Sequence, residues 1–511
     1  MNAIVGQEEF KTPGAWSQEG RSPRVAVIGS GFSGVAAIIK LREAGYTDIV
    51  CYERQDRLGG TWRDNRYPGL SCDVPSHWYS YSFALNPDWS HRFSYGPEIA
   101  AYLDDVAEKY DVKRDIRFNT GVSDLTYLGP QWRLTTDKGE EEIFDLVIAA
   151  TGVLVNPSTP DIKGLDSFAG EKWHTARWRD DVSLKGKRVA IIGTGSTSCQ
   201  IVGAVAQDVA HLSVFQRTPH WVLGIPQIKY SAAWKFLLKY VPGLQYSVRL
   251  SQRFQTEQFM GKATLGYRFQ QRLVEWICRR QLRAAVPDQA LRERLTPSYK
   301  ATCKRLIISS TYYPALTRDN VDLVTEGIDE ITPKGVRTVD GTLHECDILL
   351  LATGFHTTDF ILPTKVTGED GRDLGASWEG APRAHRALTF PGFPNFFMLH
   401  GPTGVFGNTS LIDLAEYQIG YMIACMDKMR DDKIALIAPK QEAYDAYNAA
   451  MAKDIGTTTW ATGGCDSWYL DASGTPNLYP WLPSRYRREM RKPEFGEFRM
   501  EREVAQTVAA S

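Results

Sequence analysis

Short runs of β-branched and aliphatic residues, each closed by glycines and followed by helical spacing, recur along this chain. The run in VAVIGSGFSG ends at Gly29, Gly31 and Gly34, and the helical pattern after it leads to a second apolar run ending at Glu53. The order returns in VAIIGTGSTS, where Gly193 and Gly195 are followed by Ser198, a helical pattern and a run expected to end at Arg217. Further strand patterns fall at 132–135 and 144–149, the second leading into Ala150-Thr151-Gly152, and another at 347–351 leads into Ala352-Thr353-Gly354. Residues 228–298 carry helical spacing without a strand signal, and 409–430 a further helix. Phe236, Leu237, Tyr240, Phe254 and Phe259 are expected to form the packed side of a helical insertion rather than a face for a partner or a membrane.

This alternation predicts an α/β protein with two Rossmann-like dinucleotide-binding domains, the second interrupted by helices. The expected division is a tail at 1–22, a first domain at 23–155 that resumes at 351–511 and ends in a C-terminal loop region, and a second domain at 156–227 and 299–350 around the insertion at 228–298.

Each fingerprint has a physical logic. The first glycine makes a tight turn, the second lets the backbone approach a pyrophosphate, and the helix start offers unpaired N–H groups to it. Glu53 and Arg217 each lie 24 positions after their first glycine. A carboxylate accepts bonds from ribose hydroxyls, whereas an arginine pairs with a 2′-phosphate. The first unit therefore suits FAD, through Gly29, Gly31, Ser33, Gly34 and Glu53. The second suits NADPH, through Gly193, Thr194, Gly195, Ser196, Thr197, Ser198, Arg217 and Thr218.

Composition changes little of this. The chain has 511 residues, a formal net charge of −1 and 43% hydrophobic residues, which suits two or three ordinary globular domains and favours neither nucleic acid nor an anionic membrane. The first twenty residues lack a signal-peptide core, and no run of 18 or more apolar residues occurs, so a cytoplasmic protein is expected. The eight cysteines are scattered without a CxxC pair and read as reduced, mostly buried thiols; the histidines show no metal-ligand spacing.

Two longer patterns carry a family resemblance. Phe168-x-Gly170-x3-His174-x3-Trp178, in a segment expected to link the two domains, resembles the signature of Baeyer–Villiger monooxygenases. Gly60-x-Trp62-x4-Tyr67-Pro68-Gly69-x3-Asp73 resembles a longer signature of the same family, and Arg179 departs from its usual residue after the tryptophan. The resemblance implies that NADPH reduces FAD, that O2 adds to flavin C4a, and that the resulting peroxide anion attacks a ketone to give an ester or lactone. It implies Arg305, in CKRLI, as the cation stabilising that anion, with Asp73 orienting it. It adds Gly60, Thr61, Trp62, Asp73, Tyr79, Val122, Lys304, Arg305 and Trp468 to the cofactor contacts, Trp62 lying against the FAD and Lys304 joining Arg217 and Thr218 on the NADP phosphate. Val74, Val405 and Phe406 are expected to line the substrate pocket, and His174 to act structurally. Related flavin monooxygenases that oxidise nitrogen or sulfur are the alternative; Trp178 and Arg305 count against it. A small-molecule ketone and O2 are the partners expected, with no obligate protein partner.

Overall fold

The computed structural model describes residues 15–404, 407 and 409–502. Taken in chain order, the first unit is β1 (Val25–Ile28), α1 (Phe32–Glu43), β2 (Ile49–Tyr52), α2 (Gly96–Lys109) and β3 (Ile116–Arg117). An antiparallel set follows: β4 (Val122–Tyr127), β5 (Trp132–Thr136) and β6 (Glu141–Phe144). Next come β7 (Leu146–Ala149), β8 (Glu171–His174), β9 (Arg188–Ile192), α3 (Ser196–Val205) and β10 (His211–Phe215). The insertion is built largely on α4 (Ala232–Tyr240), α5 (Leu244–Thr256) and α6 (Arg268–Ala285), and the chain continues through β11 (Val321–Val324), β12 (Ile348–Leu351), β13 (Phe396–Met398) and α7 (Leu411–Asp432).

Two five-stranded parallel sheets organise the molecule, in the orders β13-β7-β1-β2-β3 and β11-β10-β9-β12-β8. Their central strands, VAVI, LVIA and ILLL, are buried along their whole length, which explains apolar runs without alternation: helices or loops cover both faces of a parallel sheet. β1, β2, β3 and β7 superpose in role on β9, β10, β11 and β12.

Two expectations about strands need correction. The run 144–149 is not one strand, because Asp145 interrupts it; its carboxylate accepts from the Arg21 guanidinium at 2.5 and 2.6 Å and from the Arg24 N–H at 2.8 Å. β6 and β7 consequently belong to different sheets. The segment expected as an interdomain linker is also partly a strand. β8 pairs in parallel with β12, Leu351 opposite His174, and forms the edge of the second sheet. It occupies the place that β13, far later in sequence, takes in the first.

The insertion is helical, but its apolar residues face the other way from expectation. Phe236, Leu237, Tyr240, Phe254 and Phe259 are all exposed, and the inward contacts come from Leu238, Arg249, Val274, Cys278 and Leu282. Helical spacing defines a stripe without saying which side of the helix the rest of the protein covers.

Candidate functional site

The two glycine turns share one backbone geometry. Gly29 and Gly193 have φ of +99° and +110°, and a Cβ on either would lie 2.8 Å from Ala150 O or 2.4 Å from Ala352 O. Each Ala-Thr-Gly turn thus lies against its fingerprint glycine. The backbone bonds repeat as well: Gly29 N–H donates to Tyr52 O and Gly193 N–H to Phe215 O, while Ala150 and Ala352 N–H donate to Ile28 O and Ile192 O. Gly31 and Gly195, both extended, precede α1 and α3, and neither helix start is capped by a side chain. Ser33, Ser196 and Thr197 lie in the first helical turns, and the Thr194 hydroxyl donates to Thr218 O at 3.2 Å.

These surroundings fit a dinucleotide. A Cβ on Gly60 would come within 3.2 Å of Gly31 Cα, so backbone meets backbone beside the first helix start, whereas a Cβ on Gly195 would meet nothing within 4 Å. Uncapped N–H groups with no side chain in front of them are the donor set a pyrophosphate takes. The third small residue differs between the units. A Cβ on Gly34 would lie 1.9 Å from Gly29 O, so glycine is obligatory there, while Ser198 is accommodated, fully buried, in the second unit.

The strand ends differ more. Glu53 directly follows β2 and is buried; its carboxylate accepts from Ser30 N–H (3.0 Å), Ser30 Oγ (2.7 Å) and Gln55 N–H (3.0 Å), and pairs with Arg63 (3.1 Å). In the second unit the strand ends at Phe215, not at Arg217 as expected. The residue in the place of Glu53 is Gln216: Glu53 N–H donates to Arg117 O in β3, and Gln216 N–H to Val324 O in β11. Equal counting from the glycines hides this, because the second unit is one residue shorter between its turn and its strand end. Arg217 lies one position farther on and is exposed.

The stretch from Gly60 to Asp73 is a strap between the units. Thr61 starts a short helix, and Trp62 Nε1 donates to Tyr79 OH at 3.0 Å. Tyr67 OH donates to Gln200 Oε1 at 3.1 Å, and Gln200 Nε2 donates to Ser71 O at 3.0 Å, which clamps the strap onto α3. Gly69, at φ +79°, passes so close that a Cβ would sit 2.6 Å from Gln200 O. The strap delivers Asp73 to Arg305 in a bidentate pair, with Nε to Oδ2 at 2.8 Å and Nη2 to Oδ1 at 2.7 Å. Asp73 pushes the Arg305 pKa up further, against the opposing effect of burial, so the guanidinium is permanently charged. Half-buried Val74 adjoins this pair, and Val122 opens β4, where its carbonyl accepts the Thr364 hydroxyl at 2.7 Å. Val405 and Phe406 lie outside the described residues.

Lys304 projects beside the second unit. Burial lowers its pKa, with Asp466 opposing and Arg217 adding to the decrease. His174 accepts the Ala176 N–H on Nδ1 at 3.1 Å, and burial lowers its pKa, which leaves a neutral ring against the Ala352-to-Gly354 turn. Phe168 and Trp178 are buried, Trp178 standing edge-on to Trp173 at 5.6 Å, and a Cβ on Gly170 would lie 2.5 Å from Asp347 O.

Two features had no signal in the sequence. Tyr469, buried, acts on the charge of Arg305 and lies tilted against exposed Trp468, ring centroids 4.4 Å apart. Cys303 and Cys465, expected to be reduced, form a disulfide joining the Arg305 segment to the loop of Trp468. Their separation of 162 residues put the pairing beyond sequence reading; the other six cysteines are free and buried, as expected. Among the described residues no cluster could hold a metal ion, and no helix is long and apolar enough to cross a membrane.

A family model described as flavin-binding monooxygenase-like matches residues 22–365. A Baeyer–Villiger monooxygenase of Streptomyces coelicolor is 41% identical over 502 residues, which cover 95% of this chain and 94% of the relative. The structure of cyclohexanone monooxygenase from Rhodococcus sp. Phi1 bound to NADP+ aligns with a TM-score of 0.84 at 29% identity, covering 94% of this chain and 99% of that one. A complex of OTEMO with FAD and NADP aligns at 0.82 and 27% identity, over 94% and 100% of the two chains.

Proposed function

Because this chain belongs to the flavin-binding monooxygenase-like family, in its Baeyer–Villiger branch, we propose that it inserts one atom of O2 beside a ketone carbonyl to give an ester or lactone. Ketone, O2, NADPH and a proton yield ester, NADP+ and water; one C–C bond next to the carbonyl breaks, the inserted oxygen bonds to both of its carbons, and the O–O bond is cleaved with the second oxygen leaving as water. FAD and NADPH are the cofactors. When bound, they supply the hydride and the reduced flavin that activates O2.

The first unit would hold FAD: its turn and uncapped helix start would receive the pyrophosphate, Glu53 would accept from the ribose, and Trp62 and Tyr79 would flank it. The second would hold NADPH, with Arg217, Thr218 and Lys304 around the 2′-phosphate.

The observation that carries the reading is the Asp73–Arg305 pair where the two units meet. Arg305 presents a fixed positive charge to a reactive oxygen anion and to the oxyanion that develops at the substrate carbonyl. Asp73 is a positioning residue: its two bonds leave the guanidinium a single orientation. A site built this way favours a nucleophilic oxygen, which a ketone requires, over the protonated electrophile that attacks nitrogen or sulfur.

The test is Arg305→Ala. Ester formation from a reactive ketone should fall by about 10²–10³-fold, the typical loss of one preorganised oxyanion donor, while flavin remains bound and NADPH-dependent hydrogen peroxide release persists. Undiminished ester formation would remove Arg305 from the chemistry. A wild-type enzyme that oxidises thioethers and yields no ester from linear, cyclic or aryl ketones would favour the nitrogen- and sulfur-oxidising alternative.

A further inference from the structure

The net charge of −1 averages two unlike regions. Residues 228–298 hold thirteen Lys and Arg against four Asp and Glu, a net +9, and the rest of the chain holds 46 against 56, a net −10. The basic region is also where large apolar side chains are exposed.

Helix α6 shows the arrangement most clearly. It runs 18 residues, about 27 Å at 1.5 Å per residue. Val274, Cys278 and Leu282 form its inward stripe and are nearly inaccessible. The opposite stripe reads Phe269, Arg272, Trp276, Arg280 and Arg283, all exposed, with Phe269 at 72% and Trp276 at 56%. Aromatic and basic residues share this outer face instead of separating onto two. Arg280 lies over the Trp276 ring at 5.5 Å. The one acidic residue of the helix, Glu275, is engaged by Arg279. Among the described residues Arg272, Arg280 and Arg283 make no ion pair, so their charges are open to an outside partner.

A second element of the insertion repeats the chemistry. On α4, Phe236 and Tyr240 are both 61% exposed with ring centroids 4.6 Å apart, Leu237 and Val241 are exposed beside them, and the Lys239 ammonium lies 5.7 Å from the Tyr240 ring.

We propose that the helical insertion docks this protein peripherally on an anionic lipid bilayer. Arginines offer bidentate bonds to headgroup phosphates, and Trp, Tyr and Phe rings enter the boundary between headgroups and acyl chains. Charge complementarity selects this occupant. A second copy meeting through the same face would set arginines against arginines, and exposed Leu237 and Val241 contribute nothing to nucleic-acid phosphates or bases. No described helix can span a membrane, so attachment is to one surface only.

The experiment is vesicle co-sedimentation of the flavin-loaded full-length protein. It should pellet with phosphatidylcholine vesicles containing roughly one-third phosphatidylserine, not with phosphatidylcholine alone, and release as salt rises and the Debye length shrinks from about 10 to about 3 Å. A Phe269→Ser/Trp276→Ser variant and an Arg272→Glu/Arg280→Glu variant should each lose at least about tenfold in binding, with flavin absorbance and melting temperature unchanged. Should the aromatic variant fold poorly, Arg272→Gln/Arg280→Gln decides alone. No binding to anionic vesicles, or equal binding by the folded variants, would overturn the proposal. So would a dimer in light scattering that Trp276→Ser abolishes, or tighter retention on single-stranded DNA than on vesicles.

Discussion

The two dinucleotide units share their turns, hydrogen bonds and glycine conformations, and differ in what stands at the end of the second strand. In the first, Glu53 is buried and already engaged by Ser30, Gln55 and Arg63. In the second, Gln216 fills that place and turns inward, its Nε2 bonding Arg294 O at 2.8 Å, while Arg217 stands exposed beyond it. One unit holds its charge inside a prearranged network; the other leaves its charge at the surface. A cofactor retained through many turnovers suits the closed arrangement, and one exchanged at every turnover suits the open one. The shared backbone therefore marks dinucleotide binding in general, and the strand ends are where we propose the division of labour lies.

The largest effects should come from the shared part. Gly29→Ala and Gly193→Ala each force a side chain into positive φ, at about 1–3 kcal/mol, and against a carbonyl oxygen, at about 1–3 kcal/mol more. Gly29→Ala should purify without yellow colour, whereas Gly193→Ala should keep its flavin and lose NADPH affinity. Flavin absorbance and NADPH titration read the two, and swapped phenotypes would reverse the assignment of the units.

Glu53→Ala comes next. It strips buried Arg63 of one of its two carboxylate partners and Ser30 of its acceptor, at about 1–3 kcal/mol for groups left unsatisfied. Thermal melting should show the loss in protein without flavin as well as with it, because the network exists without the cofactor. A cost that appears only with flavin present would mean Glu53 does no structural work.

Arg217→Ala should be mildest: no change in melting, and a loss of about 1.5 kcal/mol of NADPH binding, roughly tenfold in KM, with NADH unaffected. Equal effects on both nucleotides would place the 2′-phosphate elsewhere. The contrast sharpens further if Lys304→Ala shows the same NADPH-selective loss.

What the sequence revealed and concealed follows one physical line. The sheets, the glycine turns and the Asp73–Arg305 association were legible because each rests on local spacing or on a motif with a fixed role. Arg217 was misplaced by one residue because only the pairing with β11 reveals where a strand ends. β8 was read as linker because its partner, β12, lies some 175 residues later. The exposed aromatic residues of α4 and α5 were assigned inward because periodicity carries no direction. Gln200, which clamps the strap, sits on a helix whose motif ends before it, and nothing in its neighbours points to Ser71.

The Cys303–Cys465 bond has a consequence for how the enzyme responds to its surroundings. It joins the segment carrying Lys304 and Arg305 to the loop carrying Trp468 and Tyr469, so thiol chemistry acts on the same pair of segments that we propose contact the nucleotide. Any ligand that draws the loop toward Lys304 raises the effective concentration of one thiol at the other, and by reciprocity the closed bond favours that ligand. The reductant in the medium then behaves as a second, hidden substrate: two preparations of one sequence, differing only in their exposure to thiols, would hold the nucleotide with different strength.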